Sequence, residues 1–383
     1  LMMNVAADTC SRMTSVRIAP AGPEMVLAPT LPDSNAKVAY LVPWGEATAI
    51  RFLSHALLGG LSVKSTDAAF TLQDQRFPAG TLIVDVADNA DGIHTTVRDI
   101  ALKSGANVVA VDDSWVTDGP NLGANEVVRH NPPDIALAWD EPTSPRSAGQ
   151  TRFVIERQFD YPVTAIRTKR LASANLDDYE VLILPAGRNY DETLGESGTE
   201  NLKNWVNKGG VLIGLGFANQ YLADANIDLL SIRRENAAVD EDRGEEDSGN
   251  RDAEGDEELA ATVEGRILES LADYQASIEP ESAPPDSLAG VLISADVDPD
   301  HWLAAGVTPT LNVLARGDGI YTPIRLDSGR NVARFQSAEN LLAGGYIWEE
   351  NHRQLAYKPF AVVQPTGRGF VIGFTEDPTY RAY

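Results

Sequence analysis

Cysteine is almost absent from this sequence, and histidine is scarce. The 383 residues include a single cysteine, Cys10, which excludes an internal disulfide framework and any cysteine-rich zinc site. None of the histidines begins an H-x-x-E or H-E-x-x-H pattern that would place two metal ligands together. We therefore expect no metal and no cofactor in this chain. We interpret as surface or packing residues the five histidines His55, His94, His130, His301 and His352.

Long apolar runs are also missing, and basic residues are outnumbered. No stretch approaches the length of a transmembrane helix, and residues 1–13 lack the basic segment and apolar core of a signal peptide. The 31 basic residues against 56 acidic ones give a formal net charge of −25. Because nucleic acid and anionic membranes would be repelled by this charge, we expect neither as a partner.

Nucleotide and calcium motifs are incomplete. The glycines between residues 209 and 216 fit neither G-x-G-x-x-G nor G-x-x-x-x-G-K-[ST], so we assign them to turns. Residues 296–300 have the alternate carboxylates of a calcium loop, but His301 stands where an EF-hand needs glycine. The tryptophans Trp44, Trp139, Trp205 and Trp348 are spread through the chain and are interpreted as core or interface anchors rather than a sugar-binding platform.

What the sequence does contain is a complete strand, helix and strand unit over residues 179–218. The apolar run Val181–Leu184 is typical of a strand covered on both faces of a parallel sheet. Ser197 and Glu200 have the spacing of a capping box and predict the start of a helix, which Gly209 ends. One face of that helix carries Leu202, Trp205 and Val206.

A second strand, over residues 211–213, follows and leads into a predicted tight turn over residues 214–218. In open α/β sheets ligands bind at the carboxyl ends of strands, and a nucleophile elbow lies at the same place. If Gly216 occupies such an elbow, its backbone should adopt a conformation that residues with a Cβ resist. The turn at residues 214–218 is therefore the predicted centre of a site.

This unit resembles the class I glutamine amidotransferase-like fold, whose nucleophilic cysteine lies in a G-x-C-x-G turn. In that register the cysteine position is Gly216. The partner histidine of the family lies in a late Q-F-H-P-E segment, and residues 373–378, which match it, contain no histidine. The resemblance implies a three-layer α/β/α, flavodoxin-like domain without the nucleophile and base of the reaction.

Breaks in composition predict the domain organisation. Residues 1–33 show no sustained period and are expected to form an irregular arm, followed by a small α/β domain over residues 34–133. The paired prolines before residue 134 mark the start of the amidotransferase-like domain, residues 134–383, in which residues 153–158 predict a helix. Residues 235–258 are strongly acidic, which favours a mobile insertion over a calcium- or partner-binding loop.

A second resemblance concerns the parent protein. The order of residues 77–84, 179–187, 205–214 and 369–374 resembles the non-catalytic C-terminal half of large bacterial zinc carboxypeptidase-like proteins of the carboxypeptidase A superfamily. It implies that the zinc ligands belong to a missing N-terminal peptidase domain, which would be the partner of this chain. A chain that begins at Leu1 and stops at Tyr383, directly after a strand and turn, is expected to be a piece of such a protein, whose export stays open.

These observations predict an accessory region that packs or binds a substrate or partner and is not itself an enzyme. The alternatives are an amidotransferase-like hydrolase and a module that binds carbohydrate or peptide at the 214–218 turn. For an enzyme, Glu180 would join the same sheet edge. The predicted binding residues are Gly187, Arg188, Gly214, Leu215, Gly216, Phe217, Glu376 and Asp377.

Overall fold

The computed structural model describes residue 12 and residues 28–238, 270–271 and 283–382, which form a mixed α/β fold. The strands are β1 (Ala39–Val42), β2 (Val63–Thr66), β3 (Phe70–Leu72), β4 (Gln75–Phe77), β5 (Leu82–Asp85), β6 (Val109–Val111), β7 (Val116–Asp118), β8 (Val127–His130), β9 (Ile135–Trp139), β10 (Thr164–Arg167), β11 (Val181–Leu184), β12 (Val211–Leu215), β13 (Leu288–Val297), β14 (Thr310–Gly317), β15 (Arg330–Phe335), β16 (Leu342–Gly344), β17 (Pro359–Thr366) and β18 (Gly369–Phe374). The helices are α1 (Ala47–Leu58), α2 (Ile93–Ser104), α3 (Pro145–Phe153), α4 (Tyr190–Lys208), α5 (Ala218–Leu222), α6 (Ala338–Leu341) and α7 (Glu349–Gln354).

The first sheet has the strand order β6-β1-β5-β2-β8, and all of its neighbouring strands are antiparallel. On one face, Tyr40 of β1 packs with Phe52 of α1 and Val97 of α2. On the other face, Leu41 packs with Phe70 of a three-stranded sheet formed by β4, β3 and β7. Successive side chains of β1 enter different cores because strand residues point alternately to opposite faces.

The second sheet has the order β10-β9-β11-β12-β18-β17-β15-β13-β14, with β16 beside β13. Its first five strands are parallel and the others are antiparallel. Numbered along the chain, the parallel strands have the order 2-1-3-4-5, which is that of flavodoxin-like doubly wound sheets. The mixed α/β class is therefore confirmed, while the three-layer arrangement and the domain boundaries stay predictions.

Two helix boundaries differ from the sequence prediction. The helix expected at residues 153–158 begins earlier, at Pro145, and residues 154–158 form a π-helical turn. Proline suits a first helical position because its missing N–H would have no intrahelical partner there. The helix expected to begin at Ser197 begins at Tyr190 and is interrupted at Gly195, whose φ is 61° and ψ −172°. The predicted start therefore corresponds to a kink inside α4.

The predicted turn at residues 214–218 is shorter than expected. Strand β12 continues through Gly214 and Leu215, which pair with Gly373 and Phe374 of β18. The turn itself is confined to Gly216 and Phe217, and α5 begins at the next residue. The sequence pattern predicts too long a turn, because Gly214 resembles a turn signal in sequence although it pairs within a strand.

Only the first four residues of the predicted insertion, residues 235–258, belong to the described structure. The side chain of Glu235 lies 2.5 Å from Lys358 Nζ, and its backbone N–H donates to the carbonyl of Ile320 at 2.8 Å. Residues 235–238 are therefore part of the fold, whereas residues 239–258 lie outside the described residues. In the described part of the chain, no helix combines the length and apolarity that crossing a membrane would need.

Candidate functional site

A cavity of about 610 Å³ lies at the carboxyl ends of the parallel strands. We call this place the carboxyl edge and define it as residues 140–147, 185–189, 216–217 and 375–380. These four segments follow β9, β11, β12 and β18, whose carboxyl ends meet because the strands are parallel. Residues of the antiparallel part, including Arg316 and Tyr321, close the opposite wall. Crevices outside the carboxyl ends of such strands are where doubly wound sheets bind ligands.

Most of the predicted binding residues meet at this cavity, but two do not. Gly214 and Leu215 do not line it. Leu215 is 3% exposed, and a Cβ on Gly214 would lie 2.5 Å from the side chain of Leu222. The predicted residues that line the cavity are Gly187, Arg188, Gly216, Phe217, Glu376 and Asp377.

Glu180 lies at the other end of the strands, contrary to the expectation for an enzyme. Its carboxylate accepts a hydrogen bond from the backbone N–H of Asp134 at 2.7 Å. Both residues directly precede the strands β11 and β9. Glu180 therefore fastens two strands at their amino ends and contributes nothing to the cavity.

The turn at Gly216 has the backbone that an elbow position predicts. Its φ is +50°, in the left-handed region that glycine adopts without strain. Its N–H donates to the carbonyl of Phe374 at 2.8 Å. The fully buried Asn219 donates from Nδ2 to the carbonyls of Gly216 and Phe374 at 3.0 and 2.7 Å. Asn219 was missed from sequence, although an amide at the start of an apolar segment directly after the turn could have indicated this role.

The cavity lacks the groups of amidotransferase chemistry. Gly216 supplies no nucleophilic atom, and neither cysteine nor histidine occurs among the described residues that line the cavity. Ser147 is the hydroxyl nearest to a carboxylate, donating to Asp377 Oδ2 at 2.5 Å and accepting from the N–H of Ala186 at 2.9 Å. These two hydrogen bonds join the segments after β11 and β18 to helix α3, so the Ser147 hydroxyl fixes the walls of the cavity relative to each other.

Three arginines give the cavity a positive lining. Arg188 lies 4.1 Å from the centre of the Phe217 ring and 3.2 Å from Asp318 Oδ1. Asp318 is shared with Arg234, from which it is 2.7 Å away. Arg316 stacks 4.8 Å above the ring of Tyr380. Arg234 does not line the cavity. The three lining arginines are Arg188, Arg316 and Arg146, and Arg146 is exposed at the rim.

The two carboxyl groups of the cavity have different surroundings. Burial raises the pKa of Glu376 well above its ordinary value, against the hydrogen bond that its Oε1 accepts from the backbone N–H of Arg316 at 3.1 Å. The neighbouring Asp377 accepts hydrogen bonds from Ser147 and from the hydroxyl and N–H of Thr379. Burial thus disfavours the charged form of Glu376, while the carboxylate of Asp377 already accepts three hydrogen bonds from the protein.

Two polar atoms at the cavity have no partner among the described residues. Tyr321 is 1% exposed, and its hydroxyl makes no hydrogen bond. The Oε1 atom of Gln150 is likewise buried and unpaired. Buried polar atoms without a partner are rare in proteins and indicate that something else, such as water or a ligand, completes them.

Helix α3 begins at the same place. The side chain of its N-cap, Ser144, makes no capping hydrogen bond, and the first backbone N–H groups of a helix have no intrahelical acceptor. Ser144, Arg146 and Ser147 all line the cavity. The positive end of the helix dipole therefore adds to the charge of the arginines.

The other candidate positions are engaged in ordinary packing. Among the described residues, no group of three or more His, Cys, Asp and Glu side chains could hold a metal ion. Asp296 accepts a hydrogen bond from Gln336, and Asp298 accepts one from the N–H of Asp300. Trp205 is buried, whereas Trp348 is 46% exposed and packs edge-on against Tyr346, so Trp348 is not a core anchor.

Comparisons with known proteins give similar folds only. No family model matches this sequence, and no curated protein matches it. A ThuA-like protein from Parabacteroides merdae is 9% identical with a TM-score of 0.38, covering 63% of this chain and 77% of the other. A glutamine amidotransferase from Thermotoga maritima is 10% identical with a TM-score of 0.34, over 63% and 73% of the two chains. A β-galactosidase from Bacillus circulans sp. alkalophilus is 12% identical with a TM-score of 0.34, over 64% of this chain and 28% of the enzyme.

Because these identities and TM-scores are low, the interpretation of the site depends on the geometry of this chain alone.

Proposed function

We propose that this chain is a non-catalytic accessory region that binds a small anionic ligand in the carboxyl-edge cavity. The observation that carries the proposal is the grouping of Arg146, Arg188 and Arg316 around one cavity of a chain whose net charge is −25. Arginines are a minority in this chain and have many acidic residues available for pairing. Their convergence on a single crevice is therefore what an anion-binding site requires.

The charge balance inside the cavity supports an anion. Neither Arg146 nor Arg316 forms an ion pair within the described residues, and Arg188 shares Asp318 with Arg234. Of the carboxyls that line the cavity, Glu376 favours its neutral form, since burial raises its pKa. Asp377 and the shared Asp318 are left to oppose the three lining arginines and Arg234. The lining therefore carries a net positive charge without a ligand, and an anion would balance it.

The same lining argues against hydrolysis. A hydrolase of the amidotransferase type needs a nucleophile and a base within hydrogen-bond reach of each other. The chain has Gly216 at the first position and no histidine in the segment from Thr375 to Pro378. We therefore propose binding without turnover, and we expect no glutaminase activity from the isolated chain.

The parent protein is the second part of the proposal. The sequence segments 77–84, 179–187, 205–214 and 369–374 support a zinc carboxypeptidase-like parent, with the peptidase domain as partner and a peptide or glycan as the source of the ligand. The coding sequence upstream of residue 1 tests this part. An encoded H-x-x-E domain would support it, and the absence of one would overturn it.

Calorimetric titration tests the binding proposal. Succinate and inorganic phosphate, titrated at low ionic strength, should bind to the wild-type chain, and added salt should weaken binding because the attraction is electrostatic. Arg316→Gln should weaken binding about tenfold, since it removes one charged donor. The matched control is Arg325→Gln, because the Arg325 side chain is 84% exposed and lies outside the cavity. Failure of both anions to bind, or equal losses in both variants, would contradict the proposal.

A further inference from the structure

We infer that the ligand of the cavity is a hydroxylated carboxylate, an acid that carries alcohol groups beside its charged end. This inference rests on the proposed function, since it assigns a chemical class to the anion. The cavity joins two kinds of recognition group that a simple anion would not use together. The arginines recognise charge, and the unpaired atoms of Tyr321 and Gln150 recognise uncharged polar groups.

The buried hydroxyl of Tyr321 indicates that the ligand carries a polar group besides its charge. The ring of Tyr321 is buried in the core cluster of the parallel strands, yet the residue also lines the cavity and its hydroxyl has no partner in the described structure. Burial raises the pKa of Tyr321, so the phenol stays neutral and can both donate and accept. A buried tyrosine hydroxyl normally finds a hydrogen-bond partner. We therefore expect a polar atom of the ligand beside the Tyr321 hydroxyl.

Gln150 narrows the chemical class of the ligand further. The end of the Gln150 carboxamide holds a buried, unpaired polar atom. An alcohol can pair with that position whether the amide accepts or donates there, whereas a carboxylate can pair only with a donor. An alcohol group satisfies both residues, because one hydroxyl can donate to Gln150 and another can accept from Tyr321.

An ammonium group is a poor alternative donor here. The acids of the cavity are poor partners for it, because Asp377 already accepts hydrogen bonds from Ser147 and Thr379 and burial raises the pKa of Glu376. An ammonium would also face the arginines of the lining at short range, and like charges repel. The alcohol is the donor that fits the remaining partners without adding positive charge.

Three probes with similar carbon chains separate charge from hydroxyl recognition: gluconate, hexanoate and sorbitol. Titrated calorimetrically into the full chain, gluconate should bind about tenfold more tightly than hexanoate, which has the charge but no alcohol groups. Sorbitol, which has the alcohols but no charge, should bind more weakly than gluconate by a similar factor. Inorganic phosphate serves as a second charged probe without alcohol groups.

Tyr321→Phe removes only the hydroxyl and is the decisive variant. It should lower the affinity for gluconate about tenfold and leave the affinity for hexanoate unchanged. Tyr346→Phe is the matched control, because Tyr346 is 69% exposed and lies outside the cavity. Circular dichroism of both variants checks that the fold is retained.

The outcomes separate this inference from the proposed function. If gluconate and hexanoate bind equally, or Tyr321→Phe weakens both equally, the inference is overturned and anion binding stands. If phosphate binds and gluconate does not, the inference is likewise overturned and anion binding stands. If none of the four probes binds, the inference and the proposed function both fail.

Discussion

The two ends of the parallel strands differ in whether named polar groups have hydrogen-bond partners. At the amino end, Glu180 accepts from the N–H of Asp134, and the indole of Trp205 donates to the carbonyl of Tyr179 at 3.0 Å. At the carboxyl edge, by contrast, the hydroxyl of Tyr321 has no partner in the described structure. The difference indicates where the ligand belongs, because polar groups that are already paired, such as those of Glu180 and Trp205, have nothing left to recognise a ligand with.

One glycine at each end, Gly369 and Gly216, is required for a different reason. A Cβ on Gly369, at the amino end, would lie 2.1 Å from the carbonyl oxygen of Gly210 and 2.4 Å from that of Val206. At the carboxyl edge, the nearest atom to a Cβ on Gly216 is Ala186 Cβ at 3.4 Å. Gly369 is required by close packing of backbones, whereas Gly216 is required by its dihedral angles. Substitutions of these two glycines should therefore differ in the size of their effect.

The largest effect is expected for Gly369→Ala. Because the new methyl would overlap two backbone carbonyls that cannot rotate away, we expect a loss of about 3 kcal/mol in the free energy of unfolding. Urea unfolding followed by tryptophan fluorescence measures it. Gly344→Ala on β16 is the control, since no atom lies within 4 Å of its Cβ position. Equal losses in both variants would refute the packing argument.

The second-largest expected effect is a dependence of the free energy of unfolding on pH, caused by Glu376. The folded pKa of Glu376 is raised, so the folded state holds a proton that the unfolded chain releases at about pH 4.3. Stability from this group is complete below that pH and is lost as the pH rises towards the folded pKa. Relative to Glu376→Gln, the wild type should lose about 1.4 kcal/mol per pH unit within this window.

Unfolding in urea at a series of pH values from about 4.3 upwards measures the difference between the two proteins, in which other titrating groups cancel. Asp377→Asn is a poor control, because Asp377 binds Ser147 and Thr379. Glu350→Gln is suitable, since Glu350 is exposed on α7. A difference between wild type and Glu376→Gln that is independent of pH would show that the carboxyl of Glu376 is not shifted.

Much of the parallel half could be predicted from the sequence, because its signals are local. The run Val181–Leu184 is apolar throughout and forms β11, and Leu202, Trp205 and Val206 are buried on one face of α4. The carboxyl ends of such strands meet by geometry, which brought Arg188 and Glu376 into the prediction. Local pattern and topology were sufficient for these residues.

The opposite wall of the cavity could not be predicted, because it depends on long-range pairing. Arg316 and Tyr321 come from the antiparallel half, and nothing near them in sequence shows that they face the turns after β11 and β18. Arg146 was missed for a different reason, since the helix was expected to begin at residue 153 and not at Pro145. Glu180 was expected at the wrong end of the sheet, because the sequence pattern does not distinguish the residue before a strand from the residue after it.

The third effect concerns Gly216→Ala. The left-handed φ of +50° costs a residue with a Cβ about 1 kcal/mol, and no close contact adds to it. We therefore expect a loss of about 1 kcal/mol in urea unfolding. Gly60→Ala is the matched control, with a φ of +78° and no atom within 4 Å. Similar losses in both would show that the cost is conformational, and a neutral Gly216→Ala would refute it.

The smallest effect on stability, and the sharpest test of the comparison, is expected for Tyr321→Phe in the absence of ligand. Removing a hydrogen-bonded polar group from a folded protein leaves its partner unsatisfied, which costs about 1 to 3 kcal/mol when the partner is buried. The Tyr321 hydroxyl has no partner in the described structure, so its removal should change the free energy of unfolding by less than about 0.5 kcal/mol or increase it. Tyr161→Phe at the amino end should instead lose about 1 kcal/mol, because the hydroxyl of Tyr161, which is 8% exposed, donates to the carbonyl of Pro133 at 2.8 Å. Urea unfolding of both variants without added anions decides the matter: a loss from Tyr321→Phe as large as that from Tyr161→Phe would mean that the Tyr321 hydroxyl is already paired, and the carboxyl edge would then lack this atom for a ligand.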